Sequence, residues 1–150
     1  MNKLGDLSCN EFLTELASAA PAPGGGGGAA MAGALAAALA SMVANLTIGK
    51  EKFADREPEV KELLKQAEAE RVRLLTLVDE DAAVFNSFMS CYKLPKTTDE
   101  EKAARTAAIR AAAKQAATVP LNIARSSFAV LKLADRLVVS GNPGVITDGA

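Results

Sequence analysis

The stretch Pro21-Ala22-Pro23-Gly24-Gly25-Gly26-Gly27-Gly28 runs directly into an alanine-rich segment that extends to Asn45. Proline lacks an amide proton and disfavours helical geometry in the residue before it, so the two prolines end the preceding helix. Five glycines then place bare backbone where the next helix begins, at about Ala29. The first N–H groups of a helix lack internal partners and attract negative charge. A flexible linker is the alternative, but the prolines and the helix that follows favour a binding loop.

This glycine run matches no standard nucleotide-binding motif. A Walker loop needs Lys followed by Ser or Thr after its last glycine, where this chain has Ala29-Ala30. A dinucleotide-binding loop follows a strand, whereas residues 10–20 are predicted to be helical. We therefore expect Gly24, Gly25 and Gly26 to contact a carboxylate or the polar edge of a ring.

Composition limits the classes of function. A chain of 150 residues is large enough for one domain with its own core. Its 17 basic and 18 acidic residues nearly cancel, which argues against nucleic acid and acidic membrane surfaces as partners. It has no histidine and only Cys9 and Cys91, so we predict no metal site and a reducing cytoplasmic location. Any proton transfer then falls to another side chain, such as a carboxylate.

Residues 16–49 carry no charge, which raises the question of a membrane. The segment from Ala29 to Ile48 is long enough to span a bilayer, but its bulk comes from alanine. Small residues recur every fourth position at Gly33, Ala37 and Ser41, a pattern that lets another helix approach closely. We predict the buried central helix of a soluble bundle, lying at a dimer interface, with a single membrane span as the less favoured alternative.

The rest of the chain is predicted to be helical, because no stretch alternates as a strand does. Caps, prolines and glycines set the expected limits of the other helices. These are Asp6–Ala19 with Ser8 or Asn10 as cap, Pro58 to about Cys91, a helix from Thr97 or Thr98 to Ala117, and Pro120 to about Val139. The fold class is therefore all-α: a helical bundle with a long central helix and a buried Ala/Gly-rich helix.

The long helix contains an apolar stripe that is interrupted by charge. Residues at spacings of three and four, from Val60 to Tyr92, predict one face packed into a bundle. Asp81 interrupts this stripe between Val78 and Phe85. A carboxylate on a core face must be paired, hydrogen-bonded or held neutral. It is therefore an internal ion pair, for example with Arg71, a cap for a neighbouring helix, or a general base in a pocket.

Several motifs, in order along nearly the whole chain, resemble the formiminotransferase-cyclodeaminase C-terminal family. They are Pro-Ala-Pro-Gly-Gly-Gly from Pro21, the segment Ser41–Lys50, Leu77-Val78-Asp79-Glu80-Asp81 with Phe85, Leu94-Pro95-Lys96, Val119-Pro120-Leu121, and Asn142-Pro143 with Thr147-Asp148. The resemblance implies a folate one-carbon enzyme, either a formiminotetrahydrofolate cyclodeaminase or a methenyltetrahydrofolate cyclohydrolase. It implies that Asp81 is the catalytic base and that no metal or redox cofactor is needed.

The resemblance also suggests further substrate contacts and partners. Asn142 and Asp148 belong to a matching turn, so we expect them to bind substrate. Lys50 and Lys52 follow the uncharged helix, and we expect one of them to contact the glutamate tail of the folate, although each can simply complement the helix dipole. A homodimer is expected.

Relatives in this family continue beyond the position of Ala150, so residues 1–150 are expected to form a single domain without the family's C-terminal helices. If those helices are needed for activity, the alternative is an inactive helical interaction or scaffold protein of the same fold. Folate binding distinguishes the scaffold from the enzyme.

Overall fold

The computed structural model describes residues 3–149, and within that range every regular element is a helix, which confirms the all-α prediction. Short 3-10 helices cover Leu4–Asp6, Glu51–Phe53 and Pro143–Val145. The α-helices are α1 (Cys9–Leu16), α2 (Gly25–Asn45), α3 (Glu57–Cys91), α4 (Asp99–Ala116), α5 (Thr118–Ser140) and α6 (Ile146–Gly149).

Capping residues set the starts of α1 and α4. The Ser8 hydroxyl accepts from the Glu11 amide while the Glu11 carboxylate accepts from the Ser8 amide, so α1 begins at Cys9 rather than at the predicted Asp6. Thr98 and Glu101 form the same reciprocal cap for α4, as the sequence predicts. The long helix α3 has Pro58 in its first turn and ends at Cys91, as expected.

Helix α2 begins at Gly25, earlier than the predicted start at Ala29. The Gly24 carbonyl accepts from the Gly28 amide at 2.9 Å, so most of the glycine run is helical. Each glycine disfavours a helix by about 1 kcal/mol relative to alanine. An acceptor outside the helix offsets part of this cost, because the Asp81 carboxylate accepts a hydrogen bond from the Gly27 amide at 3.0 Å.

Helix α2 is long and apolar enough to cross a membrane, but half of its most apolar window is buried within the protein. The small-residue pattern lies on the buried side, where Gly33, Ala37 and Ser41 are all inaccessible. A Cβ on Gly33 would lie 2.9 Å from the Ser127 hydroxyl and 3.2 Å from the Leu74 methyls. This confirms the predicted close approach of other helices to α2.

Contacts divide the chain into two compact units. The first comprises residues 3–29 and Thr76–Ile123 and buries aromatic and branched side chains from α1, α3 and α5. These are Phe12, Leu77, Val78, Val119 and Ile123. Along the whole of α4, no residue is fully buried, because this helix presents mostly alanine and charge.

The second unit comprises Ala30–Leu75 and residues 124–149, and its core joins α2, α3 and α5. Aliphatic side chains form this core: Ala40, Val43, Ala44, Val60, Leu63, Ala67, Leu133 and Leu137. The α3 stripe predicted from sequence supplies Val60 and Ala67 to this core, and Leu74, further along the stripe, is also completely buried. Leu63 is also completely buried, although it lies beside the predicted stripe.

Polar side chains hold the carboxyl end of α5 in the second unit. Glu59 accepts from the Arg136 guanidinium at 2.7 Å and from the Ser140 hydroxyl at 2.9 Å. These two hydrogen bonds hold the pKa of Glu59 below its usual value. The Arg56 guanidinium donates to the Val139 carbonyl at 3.0 Å, which satisfies one of the open carbonyls at the end of the helix.

We expect Gly141→Ala to destabilise the second unit. The new Cβ would lie 2.5 Å from the Leu137 carbonyl oxygen and 2.9 Å from a Val43 methyl, and a backbone oxygen cannot move aside cheaply. Overpacking of this kind costs about 1–3 kcal/mol. In Gly144→Ala, the nearest atom is the flexible Asn142 side chain at 3.4 Å, so this control should stay within about 0.5 kcal/mol of the parent. Urea denaturation followed by circular dichroism measures both; equal stabilities would contradict the packing described.

Candidate functional site

A pocket of about 320 Å³ lies in the first unit beside the start of α2. The Pro21–Gly26 segment and the α3 turn at Asp81 both line it. The lining residues are Pro21, Ala22, Gly24, Gly25, Gly26, Asp81, Ala82, Val84, Phe85, Ala116 and Pro120. The structure thus brings together four of the predicted site residues: the three glycines and Asp81.

The Asp81 carboxylate is tied to the backbone of the glycine run. Its Oδ2 accepts from the Gly27 amide at 3.0 Å, which makes Asp81 a cap supplied to α2 by α3. Of the roles left open by the sequence, the structure gives Asp81 that of a cap for a neighbouring helix. The carboxylate also lies on the wall of the pocket, so it can contact a ligand while it caps α2.

Gly26 lies so close to Asp81 that any added side chain would have to displace the carboxylate. A Cβ at this position would lie 2.6 Å from Asp81 Cγ and 2.7 Å from its Oδ2, well inside van der Waals contact. At Gly24 and Gly25, by contrast, a Cβ would meet no atom within 4 Å. The glycines of the run therefore serve different purposes, and only Gly26 is required for the approach of the carboxylate.

The helix start also offers hydrogen-bond donors to the pocket. Among residues 3–149, the Gly25 and Gly26 amides have no hydrogen-bond acceptor, as is usual for the first turn of a helix. Both residues line the pocket. The site thus combines one carboxylate with backbone amides that remain available for a polar ligand.

Apolar side chains form the other walls. Phe85, Val84 and Ala82 come from α3, while Ala116 and Pro120 come from the junction of α4 and α5. The sequence predicted none of these residues as site residues. The sequence pattern predicts that Phe85 lies on the packed stripe of the bundle, yet its side chain is 39% exposed and lines the pocket. The interruption of that stripe by Asp81 was the one signal that packing ends here.

Neighbouring charged residues have separate partners. Asp79 accepts from the Leu4 amide at 2.6 Å and so attaches the N-terminal segment to α3 in the first unit. Arg71, considered as a partner for Asp81, pairs instead with Glu68 at 2.7 Å in the second unit. The hydrogen bonds that Glu68 accepts from the Arg71 guanidinium hold the pKa of Glu68 below its usual value. An ion pair between Arg71 and Asp81 is therefore a wrong expectation.

The other predicted substrate contacts, Lys50, Lys52, Asn142 and Asp148, belong to the second unit. Lys50 precedes the 3-10 helix Glu51–Phe53, and the Lys52 ammonium lies 5.7 Å from the centroid of the Phe53 ring. Asp148 is exposed on α6. None of the four is among the residues that line the pocket described above, and their roles toward substrate stay predictions.

Asn142 has a structural role in the turn that follows α5. Its amide donates to the Thr47 hydroxyl at 2.9 Å, and its side-chain oxygen accepts from the Gly144 amide at 3.1 Å. Its side-chain nitrogen donates to the Leu46 carbonyl at 3.4 Å. These contacts explain an asparagine in this turn without a ligand.

Comparison with known proteins identifies the family to which this fold and site belong. The family model described as formiminotransferase-cyclodeaminase matches residues 8–150. This chain therefore belongs to the formiminotransferase-cyclodeaminase family.

Named relatives fall into two groups. A methenyltetrahydrofolate cyclohydrolase of Methylorubrum extorquens is 47% identical over 144 residues, which are 96% of this chain and 69% of that protein. A formimidoyltransferase-cyclodeaminase of Rattus norvegicus is 36% identical over 143 residues, but this chain spans only 26% of its length. The crystal structure of a formiminotetrahydrofolate cyclodeaminase from Thermotoga maritima superimposes with a TM-score of 0.84 at 32% identity, covering 98% of this chain and 69% of that one.

We expect Gly26→Ala and Gly25→Ala to differ in stability, because only Gly26 packs against the Asp81 carboxylate. Gly26→Ala forces the Asp81 carboxylate away from α2 and removes its bond to Gly27, which should cost about 1–3 kcal/mol. Gly25→Ala meets open space in a helix and should be neutral or stabilising by about 0.4–1 kcal/mol. Denaturant unfolding of the parent and both variants measures the free energy of unfolding of each. If Gly26→Ala is as stable as Gly25→Ala, the carboxylate does not occupy this position.

Proposed function

We propose that this protein is a folate one-carbon enzyme in which Asp81 acts as the general base. The observation that carries the proposal is the placement of Asp81, the one charged side chain among the described residues lining the pocket, beside free amides of the α2 start. Membership of the family supplies the substrate class, since its named members act on methenyl- and formiminotetrahydrofolate.

In the cyclohydrolase reaction, water adds to the methenyl carbon that bridges N5 and N10 of tetrahydrofolate. Asp81 would accept a proton from the attacking water, giving a neutral hydroxy adduct. The same carboxyl group would return the proton to N5 as the bond from carbon to N5 breaks, and the hydroxyl proton leaves to solvent. The products are 10-formyltetrahydrofolate and one proton, and a single proton shuttle suffices.

In the cyclodeaminase reaction, N10 attacks the carbon of a protonated 5-formimino group. Asp81 would take the N10 proton and deliver it to the nitrogen that departs as ammonia. The product is the 5,10-methenyl cation, so charge and atoms balance. Both reactions pass through the same bridging carbon and need one carboxylate, and neither requires a metal or redox cofactor in this proposal.

Cyclohydrolase activity is the first of the two to test. Identity is 47% to the Methylorubrum cyclohydrolase, compared with 36% to the rat bifunctional protein and 32% to the Thermotoga cyclodeaminase. We keep Lys50, Lys52, Asn142 and Asp148 as proposed contacts of the folate tail and ring. A cytoplasmic location is part of the same proposal.

We expect Asp81→Asn to lower turnover by about a hundredfold or more, the scale of lost acid–base catalysis. Folding should survive, because the asparagine oxygen can still accept from the Gly27 amide. Turnover is followed through the absorbance of the methenyl group, with methenyl- and formiminotetrahydrofolate supplied separately. Glu80→Gln is the matched control, since it removes one charge from the adjacent exposed residue and should leave turnover near that of the parent.

Two outcomes would contradict this assignment. Near-normal turnover in Asp81→Asn would remove Asp81 as the base. A folded parent protein that binds neither folate would favour the alternative, an inactive helical scaffold.

We also propose that the protein is a homodimer that buries an exposed face of α2. Leu35 and Leu39 lie on this face and are 56% and 45% exposed, and Leu46, which directly follows the helix, is 40% exposed. With the half-buried Met42 they recur at spacings of three and four residues, so they form one apolar stripe on a helix. A continuous apolar stripe of this kind on a soluble protein is typical of an association surface.

We expect Leu39→Glu to convert the dimer to a monomer, because it places a charge at the centre of this stripe. Leu13→Glu is the matched control, since Leu13 is also largely exposed, at 61%, but lies on α1 in the first unit. Sedimentation equilibrium of the parent and both variants gives the mass directly. A monomeric parent, or a Leu39→Glu variant that remains dimeric, would contradict this interface.

A further inference from the structure

We propose that this pocket selects its ligand by positive charge: it binds the delocalised N–C–N cation of the one-carbon unit and discriminates against neutral folates. The proposal rests on the proposed function and adds to it a second role for Asp81, as the counter-ion of the bound ligand. It predicts a property of binding that holds even without turnover.

The described residues that line the pocket carry charge of one sign. Among its lining residues, Asp81 is acidic and none is lysine or arginine. A ligand that enters this pocket therefore meets a negative potential that no neighbouring cation of the lining cancels.

The start of α2 offsets only part of this charge. A helix N-terminus is equivalent to roughly half a positive charge, whereas an ionised carboxylate carries a full negative one. The Gly27 amide occupies one lone pair of Asp81 Oδ2 and holds the carboxylate in place at 3.0 Å. The remaining lone pairs stay available, so the site keeps a net negative charge at a fixed position.

The apolar walls strengthen this preference. Phe85, Val84, Ala116 and Pro120 line the pocket beside the carboxylate, so a planar ligand that fills the pocket would exclude water there. Opposite charges attract more strongly where water is excluded. Once a ligand covers it, a carboxylate beside apolar walls is more stable when paired with a counter-ion than when it contacts the apolar edge of a ring. A planar cation satisfies both conditions, because its ring faces suit the walls and its charge suits Asp81.

The one-carbon ligands of the two proposed reactions share this chemistry. In 5,10-methenyltetrahydrofolate, the bridging carbon shares one positive charge with N5 and N10. A protonated 5-formimino group is an amidinium of the same kind. In 10-formyltetrahydrofolate, the same atoms are neutral. One carboxylate thus recognises the ligand that is the product of one reaction and the substrate of the other.

The test measures the equilibrium between the methenyl cation and 10-formyltetrahydrofolate with protein in stoichiometric excess. The pH is set where the two free folates are comparable in amount, and the methenyl absorbance reports their ratio. This equilibrium is reached with or without catalysis, given time. The glutamate tail is identical in both folates, so its charge does not affect the ratio.

We expect excess parent protein to raise the ratio of methenyl to 10-formyl folate by about tenfold or more. A tenfold change in this ratio equals a shift of one pKa unit, which is the low end of the pKa shift of about 1–3 units that an adjacent opposite charge causes. Glu80→Gln, the matched control, should retain the shift. Asp81→Asn should still bind folate in equilibrium dialysis but should leave the ratio as in free solution.

The outcomes separate this inference from the proposed function. If the parent protein binds and turns over folate without shifting the ratio, charge selection is wrong and the enzyme assignment stands. A shift that persists in Asp81→Asn also overturns the inference. If dialysis detects no folate binding at all, the proposed function fails, and this inference fails with it.

Discussion

The hydrogen bond between the Asp81 carboxylate and the Gly27 amide is the contact on which the site depends. It connects α3 to the first turn of α2 within the first unit, at 3.0 Å. It explains why a run of glycines can begin a helix, because an acceptor from another helix compensates an open N–H group. It also explains Gly26, since any side chain there would collide with the carboxylate. The same contact fixes the carboxylate on the wall of a pocket.

Much of this arrangement could be predicted from the sequence, because the signals are local. Ser8 with Glu11 and Thr98 with Glu101 are capping pairs three residues apart, and they set helix starts wherever they occur. Asp81 stood out because a carboxylate on an apolar stripe needs a special partner. The start of α2 was predicted too late, since glycine's low helix propensity argues for a loop and the compensating acceptor lies 54 residues further along the chain.

The walls of the pocket could not be predicted for a different reason. Val84, Ala116 and Pro120 are ordinary residues whose roles arise only when α3, α4 and α5 meet in the first unit. Phe85 has the spacing of a core residue, and nothing local indicates that its ring remains partly exposed. Asn142 makes hydrogen bonds to Thr47, Leu46 and Gly144 that the sequence motif did not predict, while its role toward substrate stays a prediction.

The central claim is that the one-carbon unit reacts beside Asp81 while that carboxylate still caps α2. A crystal structure with 5-formyltetrahydrofolate, a stable neutral analogue supplied at high concentration, tests it most directly. The account predicts an Asp81 oxygen about 2.6–3.2 Å from N10 or the formyl group, directly or through one water, with the bond to Gly27 intact. A folate bound elsewhere, or an Asp81 side chain turned away from both the ligand and Gly27, would contradict the account.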